Sequence, residues 1–279
     1  MNNYVSQDII TYTSFLCIRS NGSNDLRSSA SRNKRRKLIL FTPSHAVDYD
    51  TAYLWERGLR EHNEDSLTLA SVITGSNRLL FAAVADGIGG LHNGEYASSH
   101  VIQALRRSFI TNTHSYNTDL KSITLLMLRT LYSEHIFLSD HGKNMGFNLG
   151  TTVSLLCIMG ERAVYMHLGD SRLYQYSGTG RCSVIGHDHI YRDGRLIKAI
   201  GTGRYYHADI HRLRLRSGET LLLCTDGFYR KADLSGSKEA FSPFSDGGTI
   251  LQEKLYNIYK SNMALGEKDN QSAIVIRRK

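Results

Sequence analysis

The feature that most constrains this chain is a succession of short apolar runs joined by tight, glycine-containing connections. TTVSLLCIM (151–159), AVYMHLG (163–169), RLYQYS (172–177), CSVIG (182–186), HRLRLR (211–216) and TLLLCT (220–225) follow one another closely. Such runs are too short for helices, and the tight connections imply antiparallel pairing. SLTLASVI (66–73) and LLFAAVA (79–85) form a similar pair around the turn signal TGSN, and SAIVIR (272–277) reads as a closing strand. Helical spacing occurs elsewhere, at Ala97, Val101, Ala104, Leu105 and Phe109, and again at Leu120, Ile123, Leu126, Met127 and Leu131. A third helical pattern covers 249–263. Because two helices arrive consecutively and do not alternate with strands, a doubly wound sheet is disfavoured. The pattern predicts an α+β fold: two packed, mainly antiparallel sheets with helices outside.

Composition narrows the class. The chain has 279 residues, 41% apolar and 22% charged, enough for one full globular core. Its longest apolar runs are too short to span a bilayer, and no signal-peptide pattern opens it, so a cytoplasmic protein is expected. Cys17, Cys157, Cys182 and Cys224 are scattered without a C-x-x-C pair, which points to reduced thiols and away from disulfides or zinc.

The net charge of +8 invites a nucleic-acid reading, but its placement weakens it. Residues 1–47 carry seven Lys/Arg against two acids, so +5 of the total lies there. The cluster SRNKRRK follows the Ser/Asn-rich stretch SNGSNDLRSSAS. Residues 1–50 therefore read as a basic, partly flexible N-terminal extension with one strand-like piece, KLILFT (37–42). Residues 51–279 read as one domain. The extension is a solvated segment or a dock for an acidic partner; nucleic acid is not expected.

Carboxylates recur at strand ends. LFAAVA delivers Asp86-Gly87, and TLLLCT delivers Asp226-Gly227. Asp170 follows AVYMHLG, Asp269-Asn270 precedes the last strand, and Glu64-Asp65 precedes SLTLASVI. A single Asp-Gly is a common turn. Several acids gathered at one end of the sheets would repel one another unless a hard cation neutralised them. An oxygen-only set favours magnesium or manganese over zinc. Arg60, four residues before Glu64, offers a planar fork for phosphoryl oxygens. The loop after Asp86 lacks Gly-Lys-Ser/Thr and is not a Walker cradle.

At these residues the chain resembles the metal-dependent serine/threonine protein phosphatases of type 2C, in their bacterial form. The likeness runs in order through Arg60 to Ser66 (R-x-x-NEDS), Val84 to Ser98 (VADGIGG-x-x-x-GE-x-AS) and Gly150 to Thr152 (GTT). It continues through His167 to Tyr174 (HLGDSRLY), Asp188-His189, Leu221 to Gly227 (LLLCTDG) and Asp269-Asn270. The resemblance implies a four-layer α-β-β-α sandwich and hydrolysis of phosphoserine and phosphothreonine in proteins by a water activated by two Mn2+ or Mg2+ ions. It implies that Asp86 bridges both ions with the Gly87 carbonyl beside it, and that Asp226 and Asp269 hold the second. It further implies that Glu64 and Asp65 orient metal-bound waters or complete the shell, and that Arg60 grips the substrate phosphate. Phosphoprotein substrates, an opposing serine/threonine kinase and a monomeric state follow from the same likeness.

Two departures stand out. Bacterial relatives often carry an Asp just before the GTT motif for a third metal, but 141–150 (HGKNMGFNLG) holds no acid and Asp140 is the nearest. A third metal is therefore not expected. The flap after Asp188-His189, HIYRDGRLIKAIG, is shorter than the family pattern. His62, His92 and His189 invite a general-acid role, yet the position two after Asp86, a His in some relatives, is Ile88. A phosphatase-fold binding module without catalysis is the alternative. Retention of Arg60, Asp86, Asp226 and Asp269 argues for the enzyme.

Overall fold

A computed structural model describes residues 12–18 (backbone), 49–74, 77–88, 93–113, 118–234 and 250–279 of the chain. The strands are β1 (Tyr12–Ile18), β2 (Tyr49–Glu56), β3 (Asp65–Thr74), β4 (Asn77–Asp86), β5 (Val153–Met159) and β6 (Arg162–Leu168). They continue with β7 (Arg172–Tyr176), β8 (Cys182–Ile185), β9 (Asp209–Arg214), β10 (Thr220–Cys224) and β11 (Gln271–Arg278). The helices are α1 (Gly94–Asn112), α2 (Leu120–Met145), the single turn α3 (Asp226–Tyr229) and α4 (Leu251–Ala264).

Two antiparallel sheets form, ordered β1-β3-β4-β5-β6-β9 and β2-β11-β10-β7-β8. Their central strands read as unbroken apolar runs because both faces are buried. In β4, Leu79, Phe81, Ala83 and Ala85 face the layer of α1 and α2, whereas Leu80, Ala82 and Val84 face the second sheet. In β10, Leu221 and Leu223 enter the space between sheets, while Leu222 and Cys224 turn toward α3 and α4. Three apolar layers thus separate four structural layers, the expected α-β-β-α sandwich.

Two strands differ from the sequence reading. β2 is half exposed, with only Tyr49, Ala52 and Leu54 buried, so its apolar signal is weak; pairing along β11 makes it a strand. β1 lies within the N-terminal extension and pairs with β3, from Tyr12 opposite Val72 to Ile18 opposite Leu67. The strand-like piece at 37–42 lies outside the described residues. α2 runs well past Leu131, because His135, Leu138 and Gly142 continue its buried face. Asp119 accepts from Ser122 N–H at its start, and Gly146 at φ 78° ends it. Among the described residues, no helix is long and apolar enough to cross a membrane.

Candidate metal centre

β3 and β4 carry two carboxylates to the same edge. Asp65 at the start of β3 stands directly opposite Asp86 at the end of β4. β10 brings Thr225 and Asp226 to that end of the second sheet, and β11 begins just after Asp269-Asn270. Asn270 then ties the segments together: its Oδ1 accepts from Glu64 N–H at 2.8 Å, and its Nδ2 donates to the carbonyls of Arg57 and His62.

The backbone around Asp86 is clamped by the GTT motif. Asp86 N–H donates to Thr152 Oγ1 at 3.0 Å, and its carbonyl accepts from Thr152 N–H and from the Thr151 hydroxyl. Gly87 meets helix α1 closely. A Cβ there would lie 2.3 Å from the Gly94 carbonyl oxygen and 2.9 Å from that of Glu64. Its glycine character therefore comes from the contact with α1. Gly89, Gly90 and His92 of this loop lie outside the described residues.

Burial and mutual repulsion dominate the electrostatics. Burial pushes the Asp65 carboxyl up to about 7, with Ser272 and Thr225 opposing the rise and Asp226 and Asp269 adding to it. Asp86 is raised well above its ordinary value by burial and then by Asp65, Asp226, Asp170 and Asp269. Burial raises Asp226 despite Arg230, and lifts Asp170 to about 6. Glu64 is raised by burial, with Arg60 opposing. Asp65 Oδ2 accepts from the Thr225 hydroxyl at 2.8 Å, while its buried Oδ1 has no hydrogen-bond partner among the described residues. An orphaned carboxylate oxygen inside a ring of repelling acids fits a set of oxygen donors for hard divalent cations.

Arg60 and two residues beyond the motifs, Arg230 and Glu267, border the carboxylates. Arg60 Nε pairs with Asp269 Oδ1 at 2.9 Å, its side chain half exposed. Arg230, four residues after Asp226, pairs with Asp226 and reaches Asp269 Oδ2 and Glu267 Oε1, each at 3.3 Å. Glu267 is buried and fixed by the N–H groups of Lys268 and Asp269. Arg230 and Glu267 escaped the sequence reading; the i,i+4 spacing of Arg230 from Asp226 was the available signal. Asp140 sits exposed on α2, paired with Lys143. His62 is exposed beside Glu61 and Glu95.

The Asp188-His189 motif braces the site from outside. Asp188 holds Arg172 in a two-pronged pair, with Nη2 to Oδ2 at 2.6 Å, and the guanidinium lies over Tyr229, whose hydroxyl donates to the Asp170 carbonyl. His189 Nδ1 accepts from Gly169 N–H, and its Nε2 faces Asp209 Oδ2 at 3.1 Å. His167, His189 and Asp209 each offer one ligand atom within 4.8 Å of the others, a group that could hold a metal. Two features oppose shared ligation. The rings of His167 and His189 stack 4.6 Å apart and 10° from parallel, so their in-plane lone pairs do not converge. The Gly169 N–H also places the His189 proton on Nε2, toward Asp209. The short flap is a small turn closed by the Ile190–Leu196 bridge.

Fold and site together define the class, a metal-dependent phosphatase. The family model described as Protein phosphatase 2C matches residues 58–255, and the chain belongs to that family. A serine/threonine phosphatase stp of Listeria monocytogenes is 22% identical over 243 residues, covering 80% of this chain and 93% of its own. A protein phosphatase 2C-type relative from Streptococcus pyogenes is 29% identical over 115 residues, 41% of this chain. The match spans 44% of that relative's length. Among solved structures, PppA, a key regulatory component of T6SS in Pseudomonas aeruginosa, aligns at a TM-score of 0.68 and 25% identity. It covers 84% of this chain and 99% of that one. The serine/threonine phosphatase of S. agalactiae aligns at 0.72 with 19% identity over 83% of this chain and all of its own, a likeness of fold.

Proposed function

We propose that the chain hydrolyses phosphoserine and phosphothreonine in proteins, with Asp86, Asp226, Asp269, Glu64, Asp65 and the Gly87 carbonyl holding two Mn2+ or Mg2+ ions. The observation that carries this reading is the Asp65–Asp86 register pair, in which a buried Asp65 with an unpartnered oxygen stands opposite a half-buried Asp86, with further acids around them. Two such ions, when bound, supply charge neutralisation and water activation for attack on phosphorus. The chain's own residues position everything else. Asn270 fixes the Glu64 backbone to the segment carrying Asp269, Thr152 fixes that of Asp86, and Thr225 orients Asp65. Arg60, anchored on Asp269 yet half exposed, binds the substrate phosphate with its free guanidinium edge. Ile88 leaves no imidazole two residues after Asp86, and His189 is committed to Gly169 and Asp209.

On the same reading residues 51–279 are the phosphatase domain and 1–50 a basic extension. The protein works as a cytoplasmic monomer against a serine/threonine kinase. The test is hydrolysis of a phosphothreonine peptide by the full chain with and without manganese. Manganese-dependent turnover that disappears in Asp226→Ala is expected. Absence of metal-dependent turnover, or full turnover in that variant, overturns the assignment. The alternative, a binding module on a phosphatase fold, is favoured by one observation: Arg230 already pairs with Asp226 and Asp269.

A further inference from the structure

Arg230 stands where its charge matters most. It follows α3 directly, with its N–H donating to the Asp226 carbonyl at 2.8 Å, so the guanidinium folds back over the carboxylate that opens the same turn. One nitrogen engages Asp226 Oδ2; another lies 3.3 Å from both Asp269 Oδ2 and Glu267 Oε1. Asp226 and Asp269 are the two carboxylates assigned above to the second ion, and this inference rests on that assignment. A divalent cation between them needs the oxygens that Arg230 now faces. Two cations sharing one pair of carboxylates repel strongly at contact distance. The guanidinium must therefore withdraw for the ion to enter.

A place for withdrawal exists. Glu267 is 4% exposed, and its Oε1 already accepts the N–H groups of Lys268 and Asp269, so the carboxylate cannot follow a moving partner. Its other oxygen, Oε2, is buried with no hydrogen-bond partner among the described residues. A buried, unpaired carboxylate oxygen is costly, and a planar fork with spare N–H groups satisfies it readily. The Arg230 side chain is 43% exposed, which leaves it room to pivot.

We propose that Arg230 is an internal cation that holds Asp226 and Asp269 together in the absence of the second metal and moves onto Glu267 when that ion binds. It sets the affinity of the second ion and spares the metal-free centre part of its self-repulsion. It is a positioning residue, acting through the carboxylates.

The experiment titrates Mn2+ into the full metal-free chain by calorimetry and follows melting with and without the ion. Arg230→Met keeps the apolar stem and removes the charge. It should tighten the weaker Mn2+ site by about tenfold, as expected for loss of one nearby, partly screened positive charge. It should also lower the melting temperature of the metal-free chain. Arg230→Lys should stay close to wild type in both readouts. Glu267→Gln, which removes the place of withdrawal, should weaken the second ion. Equal Mn2+ affinities and equal metal-free melting for wild type and Arg230→Met overturn the proposal. Asp226→Asn separates the two levels. If it binds both ions as wild type does, the assignment of the second site fails. If it loses one ion while Arg230→Met changes nothing, only the role of Arg230 fails.

Discussion

Asp65 and Asp86 stand opposite each other across β3 and β4, two carboxylates on paired residues with Asp226, Asp269 and Asp170 near them. Asp65 is buried and Asp86 half-buried, and both are raised, first by desolvation and then by neighbouring acids. The metal-free fold carries this repulsion as a standing destabilisation. Asp86→Asn removes one of the charges and keeps the backbone clamp from Thr152. The metal-free variant should melt a few degrees higher than wild type, at about 2–4 °C per kcal/mol for a chain of this size. It should lose both manganese-induced stabilisation and phosphatase turnover. A variant that melts lower than wild type without metal would show that the pair is not the source of strain.

Gly87 sits against the first turn of α1, and the contact leaves no room for a methyl group. In Gly87→Ala the new carbon would meet the Gly94 carbonyl at 2.3 Å, so α1 must back away from β4. Overpacking of this kind costs about 1–3 kcal/mol. Because Asp86 is adjacent, manganese affinity should fall about tenfold or more, the equivalent of 1.4 kcal/mol or above. Gly160→Ala is the control: its added carbon meets nothing within 4 Å, and only the positive φ of 58° resists it. That variant should lose stability and keep its manganese affinity. Equal affinities in the two variants would separate Gly87 from the centre.

Much of this architecture is legible in the sequence because the central strands are buried on both faces. LLFAAVA and TLLLCT are continuous apolar runs for that reason, and each ends abruptly where its strand meets the carboxylate rim. β2 is hidden from the same reading: Asp50, Thr51 and Trp55 face outward or half outward, so its apolar pattern lacks density. The acids of the centre are legible from their repeated placement at strand ends. Arg230 and Glu267 are not, because a surface arginine four residues from an Asp is an ordinary helix pair until the chain from 267 to 270 is folded beside it. The His167, His189 and Asp209 group assembles from three separate segments, and no spacing in the sequence announces it.

The Thr225 hydroxyl donates to Asp65 Oδ2 at 2.8 Å and accepts in turn from Ser272 N–H at 3.1 Å. Thr225→Val keeps the shape and strips both bonds, leaving Asp65 Oδ2 without this hydroxyl and the Ser272 N–H without this acceptor. The loss should be about 1–3 kcal/mol, typical of an unsatisfied buried polar group. Thr225→Ser should restore most of it. Melting of the metal-free proteins measures the difference. If valine matches serine, the hydroxyl contributes nothing to holding Asp65.

His167 gives the fold an acid-sensitive element away from the carboxylate rim. Its ring stacks on Tyr165 at 4.9 Å and on His189 at 4.6 Å, buried, with neither nitrogen hydrogen-bonded among the described residues. Burial holds its pKa down to about 4 from an ordinary 6.5. His189, His211 and His187 push the same way, and Asp209 opposes them. As pH falls from 6.5 toward 4, the unfolded chain takes up a proton that the folded ring refuses, so stability is lost across that window. Asp209 titrates lower: burial raises it, but Lys198 and His189 outweigh that and hold it at about 2, so its contribution persists until the pH falls below 4. His167→Phe keeps the stack and removes the titrating group. From pH 7 to 4.5 its melting temperature should rise relative to that of wild type, because the raised carboxyls Asp65 and Asp170 act alike in both proteins. Each protein keeps a pH dependence of its own, because burial also holds His189 below its ordinary value and the carboxyls Asp65 and Asp170 above theirs. Parallel curves for the two proteins would assign the acid sensitivity to other groups.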